Sequence, residues 1–389
     1  MTTTSVFKAD LGSIGGHKKP SRNVVRAVDE YVSKKGENLI IDHYTATTGD
    51  DISVLMAHYK GIDNREVHKL AWDAFTCGTE VAREDGLYAA GQDLVKNAFS
   101  GNVRGLGPAV AELDFKERPA EVFALFAADK TNAGAFNLPL YSAFADARKC
   151  SGLIQNPEMK KGFRFKITDA KYTKCFGCQK YHTPEEKCED AKEENNSNKS
   201  IWLSTPEDIY DILFLLRNTR RYFVEGIFSK STGEQVVSVS TTKLFNVSEG
   251  KYIGKDDPVM LVRYQGNFPA AGEVEKQFEE GHLVTGWMRG SLFGPLMPCK
   301  LNSIVSYDDG PPIVTGASFS MHNGKLLEPV DVFSDPIWDY IRNDISRKAI
   351  DINHQKPFEP AMLPTEDQEY SGPKEILKSL EKRSVVELI

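Results

Sequence analysis

The 389-residue sequence has no window near the roughly 18 consecutive apolar residues that a membrane-spanning helix needs. Its first residues, Met1 to Ser5, carry neither the basic cluster nor the apolar run of a secretory leader, so a cytoplasmic location is the default expectation. Positive charge is also in short supply. With 48 Lys and Arg against 55 Asp and Glu the formal charge is −7, and the average surface repels nucleic acid and anionic membrane alike. No nucleic-acid or membrane partner is expected, and a phosphorylated substrate would need a local positive site built from basic side chains or bound cations. Cysteine is sparse too: Cys77, Cys150 and Cys299 are scattered, while Cys175, Cys178 and Cys188 crowd one polar segment. That clustering fits metal chemistry in a reducing compartment better than an extracellular disulfide framework. There is no internal repeat, and only Glu185 to Ser200 reads as low complexity.

What is present is enough apolar sequence, 40% of residues, to bury a core without staples. A strand is predicted over Ser5 to Ala9, followed by a Gly-rich turn and a helix capped by Ser21, with Val24, Val28, Tyr31 and Val32 on one face. An apolar run over Asn38 to Thr48, the tight Gly49-Asp50-Asp51 element and a strand from Ile52 to His58 form a hairpin pattern. Three- and four-residue spacing predicts a long helix from Arg65 to Arg83, and a buried strand from Glu121 to Ala128 runs into Asp129. Further strands are predicted at Phe163 to Ala170, Arg221 to Phe228, Gln235 to Ser240 and Pro258 to Tyr264, with a hairpin at Asn323-Gly324. Helices are predicted from a start at Thr205, Pro206 and Asp208 leading into Ile209, Leu213 and Leu216, over Ala270 to Glu280, over Pro336 to Ile352 and over Pro373 to Leu380. The interleaving suits an α+β sandwich better than a barrel.

Carboxylates recur where strands end: Asp10, Asp50 with Asp51, Asp129, and Asp256 with Asp257. Mg²⁺ prefers oxygen ligands and shares them with water and phosphate, so strand-end aspartates suit it, and His17 and Gln92 could complete the set. The plainer reading is that such aspartates cap solvated turns.

Nine ordered blocks then match one family. They are KADLGSIGGH (8–17), GDD (49–51), LYAAGQDL (87–94), SGNVRGLGP (100–108), ADKTNAGAFNLPLY (128–141), GKYIGKDDPVM (250–260), GWMRGSLFGPLMP (286–298), DGPP (309–312) and PTEDQEY (364–370). The chain resembles the archaeal-type bifunctional fructose-1,6-bisphosphate aldolase/phosphatases over nearly its whole length. The resemblance implies a four-layer α-β-β-α sandwich with mixed, largely antiparallel sheets, a single intertwined catalytic domain over 1–389, and a homo-octamer with active sites near subunit interfaces. It implies a Schiff base on Lys255, proton transfer by Tyr252, and Asp10 as the base for water. The metal ligands it implies are Asp10, His17, Asp50, Asp51, Gln92, Asp129, Asp256 and Asp257. Sugar-phosphate contacts fall on His17, Tyr88, Gly101, Asn102, Lys130, Gln265, Arg289, Asp309 and Tyr370. Two narrower readings stay open: a metal-dependent sugar-bisphosphate phosphatase without aldolase activity, and an interaction protein on the same scaffold.

One segment departs from the family pattern. Within an insertion over 171–200, Cys175, Cys178, His182 and Cys188 give C-x2-C-x3-H-x5-C, a candidate closed tetrahedral site for structural Zn²⁺. The alternative is an insertion with free cysteines. The acidic flank from Glu185 to Glu194 argues against nucleic acid as its partner.

Overall fold

A computed structural model describes residues 1–94, 107–174, 181–182, 197–240, 257–290, 292–305, 307–355 and 372–381. It is a mixed chain of helices and mostly antiparallel sheets. A four-stranded sheet is built from β1 (Thr2–Asp10), β2 (Asp42–Thr48), β3 (Asp51–His58) and β4 (Ala109–Phe115), in the order β2-β3-β1-β4 with every pair antiparallel. The second and third strands are joined by Gly49 and Asp50 alone. That turn places Asp51 directly opposite Asp10 in the β1–β3 register.

The larger sheet runs β7-β6-β8-β9-β10-β5-β11. Its members are β5 (Glu121–Asp129), β6 (Phe163–Lys174), β7 (Ser197–Ser204), β8 (Tyr222–Ser229), β9 (Gln235–Val239), β10 (Val259–Arg263) and β11 (Ile313–His322). These neighbours are antiparallel, and a parallel two-residue strand, Met297–Pro298, closes the edge beyond β11.

Side-chain alternation sends each strand's residues to two different cores. From β1 and β3, Phe7, Ala9, Ile52, Val54 and Met56 pack on helices α1 (Arg22–Gly36) and α2 (Arg65–Glu84). The intervening Val6, Leu55 and Ala57 face the other way and meet Phe123, Leu125 and Ala127 of β5, with Val259 and Leu261 of β10. The opposite face of the large sheet, Ala124, Phe126, Ala128, Met260 and Val262, packs with Leu140 and Phe144 of α3 (Asn137–Phe144), with Ile212 and Leu216 of α4 (Ile209–Leu216), and with Trp338 of α5 (Ile337–His354).

Local signals act where expected. Ser21 caps α1 by accepting from the Val24 N–H at 3.1 Å. Asn323 and Gly324 both have positive φ, as a two-residue hairpin loop between antiparallel strands demands. The stretch over Ala270 to Glu280 is shorter than predicted: five α-helical residues, Ala271–Glu275, tighten into a 3₁₀ turn, Lys276–Phe278. No helix among the described residues is long and apolar enough to cross a membrane.

Candidate metal centre

Four strand ends converge on one polar pocket. β1 ends on Asp10, β3 begins on Asp51, β5 ends on Asp129, and Asp257 lies just before β10. Half of these carboxylates therefore come from each sheet. Asp10, His17 and Asp50 form one group whose ligand atoms all lie within 4.8 Å of one another, and Asp51, Asp129 and Asp257 form a second. Their positions are enforced by backbone contacts. The Gly12 N–H donates to Asp10 Oδ1 at 2.9 Å, the Thr131 N–H donates to Asp257 Oδ1 at 2.9 Å, and the Asp257 N–H returns to Thr131 O at 2.9 Å. Gly49, at φ +58, packs directly against the end of β5, for a Cβ there would sit 1.6 Å from Asp129 Oδ2.

Three cationic side chains reach this carboxylate box. His17 Nδ1 lies 2.9 Å from Asp50 Oδ2 and 3.6 Å from Asp10 Oδ2. Lys130 Nζ donates to Asp50 Oδ1 at 2.5 Å and lies 3.2 Å from Asp129 Oδ1. Lys8, fully enclosed, donates to Asp51. Burial is the largest influence on every carboxyl here. It pushes Asp10 up to about 7, with help from Asp50. It also raises Asp51 and Asp257, and it raises Asp129 most strongly. For Asp50 burial acts in the same sense, but Lys130 and His17 outweigh it and hold that carboxyl below the usual range. Burial alone would lower His17; its bonds to Asp10 and Asp50 instead carry it up to about 10.

Backbone strain is concentrated here. His17, Ala89, Lys130, Asp257 and Asp309 all hold left-handed φ values between 53° and 59°. Non-glycine residues keep such conformations only where the surroundings over-determine them.

The fold thus brings Asp10, His17, Asp50, Asp51, Asp129, Lys130 and Asp257 together. Tyr88 stands edge-on to His17 with ring centroids 5.0 Å apart, Gln92 follows in the same loop, and Asp309 is close enough to act on the charge of Lys130. Gly286 packs on the Lys130 carbonyl and Thr131, which places the helical turn bearing Arg289 beside the pocket. Gln265 does not join within one chain: it is exposed in a turn beyond Arg263, at the opposite end of β10 from Asp257. Lys255, Tyr252, Asp256, Gly101, Asn102, Tyr370, Cys175, Cys178 and Cys188 lie outside the described residues. Of His182 only the backbone is described: it lies in a two-residue strand, Tyr181–His182, that pairs antiparallel with Thr173 and Lys174 at the end of β6. Sequence reasoning missed two residues. Asp93 accepts the Asp10 N–H at 2.9 Å, and Lys8 shares with Asp10 one face of a strand whose every residue is buried. A lysine in such a strand is itself a signal, because burial demands a partner.

A family model described as fructose-1,6-bisphosphatase matches residues 1–385. A fructose-1,6-bisphosphate aldolase/phosphatase from Thermus thermophilus is 48% identical, with 98% of this chain and 98% of the relative covered. Proteins of the same name from Ignicoccus hospitalis and Methanothermobacter marburgensis are 43% and 41% identical; 98% of this chain is covered in each, with 92% and 98% of the relatives. With its strand-end carboxylates assembled as described, this chain belongs to the fructose-1,6-bisphosphatase family that those aldolase/phosphatases represent.

Proposed function

We propose that this chain condenses dihydroxyacetone phosphate with glyceraldehyde 3-phosphate to fructose 1,6-bisphosphate through a Schiff base on Lys255, then hydrolyses the C1 phosphate to give fructose 6-phosphate. The observation that carries the reading is the carboxylate box, met in a chain that matches bifunctional relatives end to end. Among the described residues, four buried carboxylates, Asp10, Asp50, Asp51 and Asp129, and the half-buried Asp257 face three cationic groups, Lys8, His17 and Lys130. Asp129 Oδ2 and Gln92 Oε1 are buried without a hydrogen-bond partner. An oxygen-rich, under-neutralised donor set fits hard divalent cations, and magnesium is the reading it suits. Asp10, His17, Asp50, Asp51, Gln92, Asp129, Asp256 and Asp257 would hold the ions. When bound, they neutralise phosphate oxygens and lower the pKa of water.

The rest falls to the protein. Asp10 Oδ1 is tied to the Gly12 N–H, leaving Oδ2 to take the proton of the attacking water. His17, held edge-on by Tyr88, keeps that carboxylate in place beside Asp50. Lys130 bridges the two groups of ligands and offers N–H donors to a phosphate between them. In the aldolase half, the Lys255 amine forms a bond to the ketone carbon of dihydroxyacetone phosphate and the carbonyl oxygen leaves as water. The iminium then draws electrons from the adjacent C–H bond while Tyr252 moves the proton. Gly101, Asn102, Arg289, Asp309 and Tyr370 would contact the sugar phosphate. In an octamer with sites near subunit interfaces, Gln265 would serve a neighbouring copy's pocket.

The three apolar layers in series, helix to sheet, sheet to sheet and sheet to helix, support the reading as a four-layer α-β-β-α sandwich formed by one intertwined domain in a cytoplasmic enzyme. The Cys175, Cys178, His182 and Cys188 set is read as structural zinc ligation. Borohydride reduction with dihydroxyacetone phosphate and Mg²⁺ tests the central claim. Mass spectrometry is expected to find the reduced adduct on Lys255. Absence of any adduct, with phosphate still released from fructose 1,6-bisphosphate, leaves the phosphatase alone.

A further inference from the structure

The opposite end of the small sheet carries a second constellation that the proposed chemistry does not use. Asp63, in the turn before α2, His68, in the first turns of α2, and Glu112, on β4, place ligand atoms within 4.8 Å of one another. Ser5 of β1, paired with Glu112 in register, marks their place on the sheet. Ser5 and Asp10 are five residues apart on one extended strand, roughly 16 Å at about 3.3 Å per residue, so the two clusters are separate.

His68 is the unusual member. It is fully buried, and neither of its ring nitrogens has a hydrogen-bond partner. Nε2 points at the cluster, 3.3 Å from Glu112 Oε1, an ion-pair distance at which, against burial, the imidazole helps hold the Glu112 carboxyl below its usual range although the angle falls short of a good hydrogen bond. An imidazole buried in this way normally finds a partner. That separation matches the edge of a tetrahedron with bonds of about 2.0–2.1 Å, which is roughly 3.3 Å. The surrounding groups hold the carboxylate for it. The Asp63 N–H donates to Glu112 Oε2 at 2.8 Å, and Ser5 Oγ donates to Glu112 Oε1 at 2.5 Å. His58 is already engaged, its Nδ1 accepting from the Lys60 N–H and its Nε2 meeting Ser5 Oγ at 2.9 Å, so it orients Ser5 instead of adding a ligand. Asp63 is exposed and gives the site an opening to solvent.

We infer that His68, Glu112 and Asp63 form a second divalent-cation site, distinct from the carboxylate box, which clamps the start of α2 to the edge of the small sheet. One imidazole with two carboxylates favours a borderline transition ion such as Zn²⁺ over Mg²⁺, and three protein ligands leave a fourth position for water.

The test equilibrates the full-length protein with Zn²⁺ in excess Mg²⁺, removes free metal by gel filtration, and counts bound zinc by mass spectrometry. Wild type is expected to retain about one more zinc ion per chain than His68→Gln or Glu112→Gln. Because this is a difference, zinc held elsewhere, including at the cysteine segment, cancels. Equal zinc in wild type and in either folded variant overturns the proposal. Should both variants fail to fold, anomalous scattering at the zinc edge from wild-type crystals soaked in Zn²⁺ decides it. A peak between His68 Nε2 and Glu112 Oε1 supports the site, and no peak there overturns it.

Discussion

Replacing Gly49 with alanine isolates the contact that joins the two sheets at the carboxylate box. The substitution has two costs that can be separated. The first is conformational: alanine at φ +58 is disfavoured by about 1 kcal/mol. The second is steric. The new Cβ would lie 1.6 Å from Asp129 Oδ2 and 2.6 Å from its Cγ, where about 3.3 Å is needed, so the carboxylate must retreat by roughly 1.7 Å. A 1 Å misplacement of a reacting or positioning group can cost about 100-fold, so kcat/KM for phosphate release from fructose 1,6-bisphosphate should fall by at least about 100-fold, or roughly 2.7 kcal/mol. The control is Gly233→Ala, in the turn between β8 and β9, which has φ +75 and open space where its Cβ would go. It carries the conformational cost alone. Both variants should lose roughly 1–2 °C of thermal midpoint on that account, given an unfolding entropy of about 2.1 cal/mol/K per residue. Only Gly49→Ala should lose activity and magnesium affinity, read by titration calorimetry. Full activity in Gly49→Ala would refute the claim that the position of Asp129 governs the reaction.

Two further outcomes follow from the electrostatics. A buried carboxyl with a raised pKa keeps its proton in the folded chain after the unfolded chain has lost it. Its stabilising contribution is therefore complete below the ordinary value of 3.8 and is lost as pH rises through the folded value, about 7 for Asp10. In the metal-free protein, the midpoint of wild type relative to Asp10→Asn should fall steadily between about pH 4 and pH 7; a level difference would refute the assignment. Arg263→Met breaks a pair in which both side chains are fully buried, with Nε and Nη2 donating to Glu121 at 3.1 and 3.0 Å. Glu121 keeps the bonds from Arg118 Nε and Nη2 at 3.0 and 2.6 Å, so losing one of its two partners should cost about 1–3 kcal/mol in urea unfolding, and no loss at all would refute it.

Much of this arrangement was legible in the residues because local rules and global fold agree there. Ser21 capped the helix it was assigned to, and the Gly49-Asp50-Asp51 element formed the hairpin that opposes Asp51 to Asp10. The hidden parts are those whose environment leaves no periodic trace. Helix α3 buries every residue but Leu138, so it has no polar face to reveal a helical period, and no side chain caps its start. Strand β4 follows a glycine-rich stretch, and its short run of alanines, Ala109 and Ala111, is weak strand material whose conformation is set by pairing with β1. The aspartates could be named from their places at strand ends. Which of them lie within reach of one another could not, because that depends on two sheets meeting face to face. That Gln265 lies at the opposite end of β10 from Asp257 was hidden likewise, because sequence proximity does not say which end of a strand faces the pocket.

The division of the carboxylates between sheets makes their spacing a property of what lies between the sheets. Asp10 and Asp51 ride on one, Asp129 and Asp257 on the other, and Val6, Leu55, Phe123 and Leu125 fill the gap. That filling works as a gauge block. Removing one methylene there should change the distance between the two carboxylate pairs without altering any of the four. The separation of the carboxylates thus depends on residues that no inspection of the pocket would pick out.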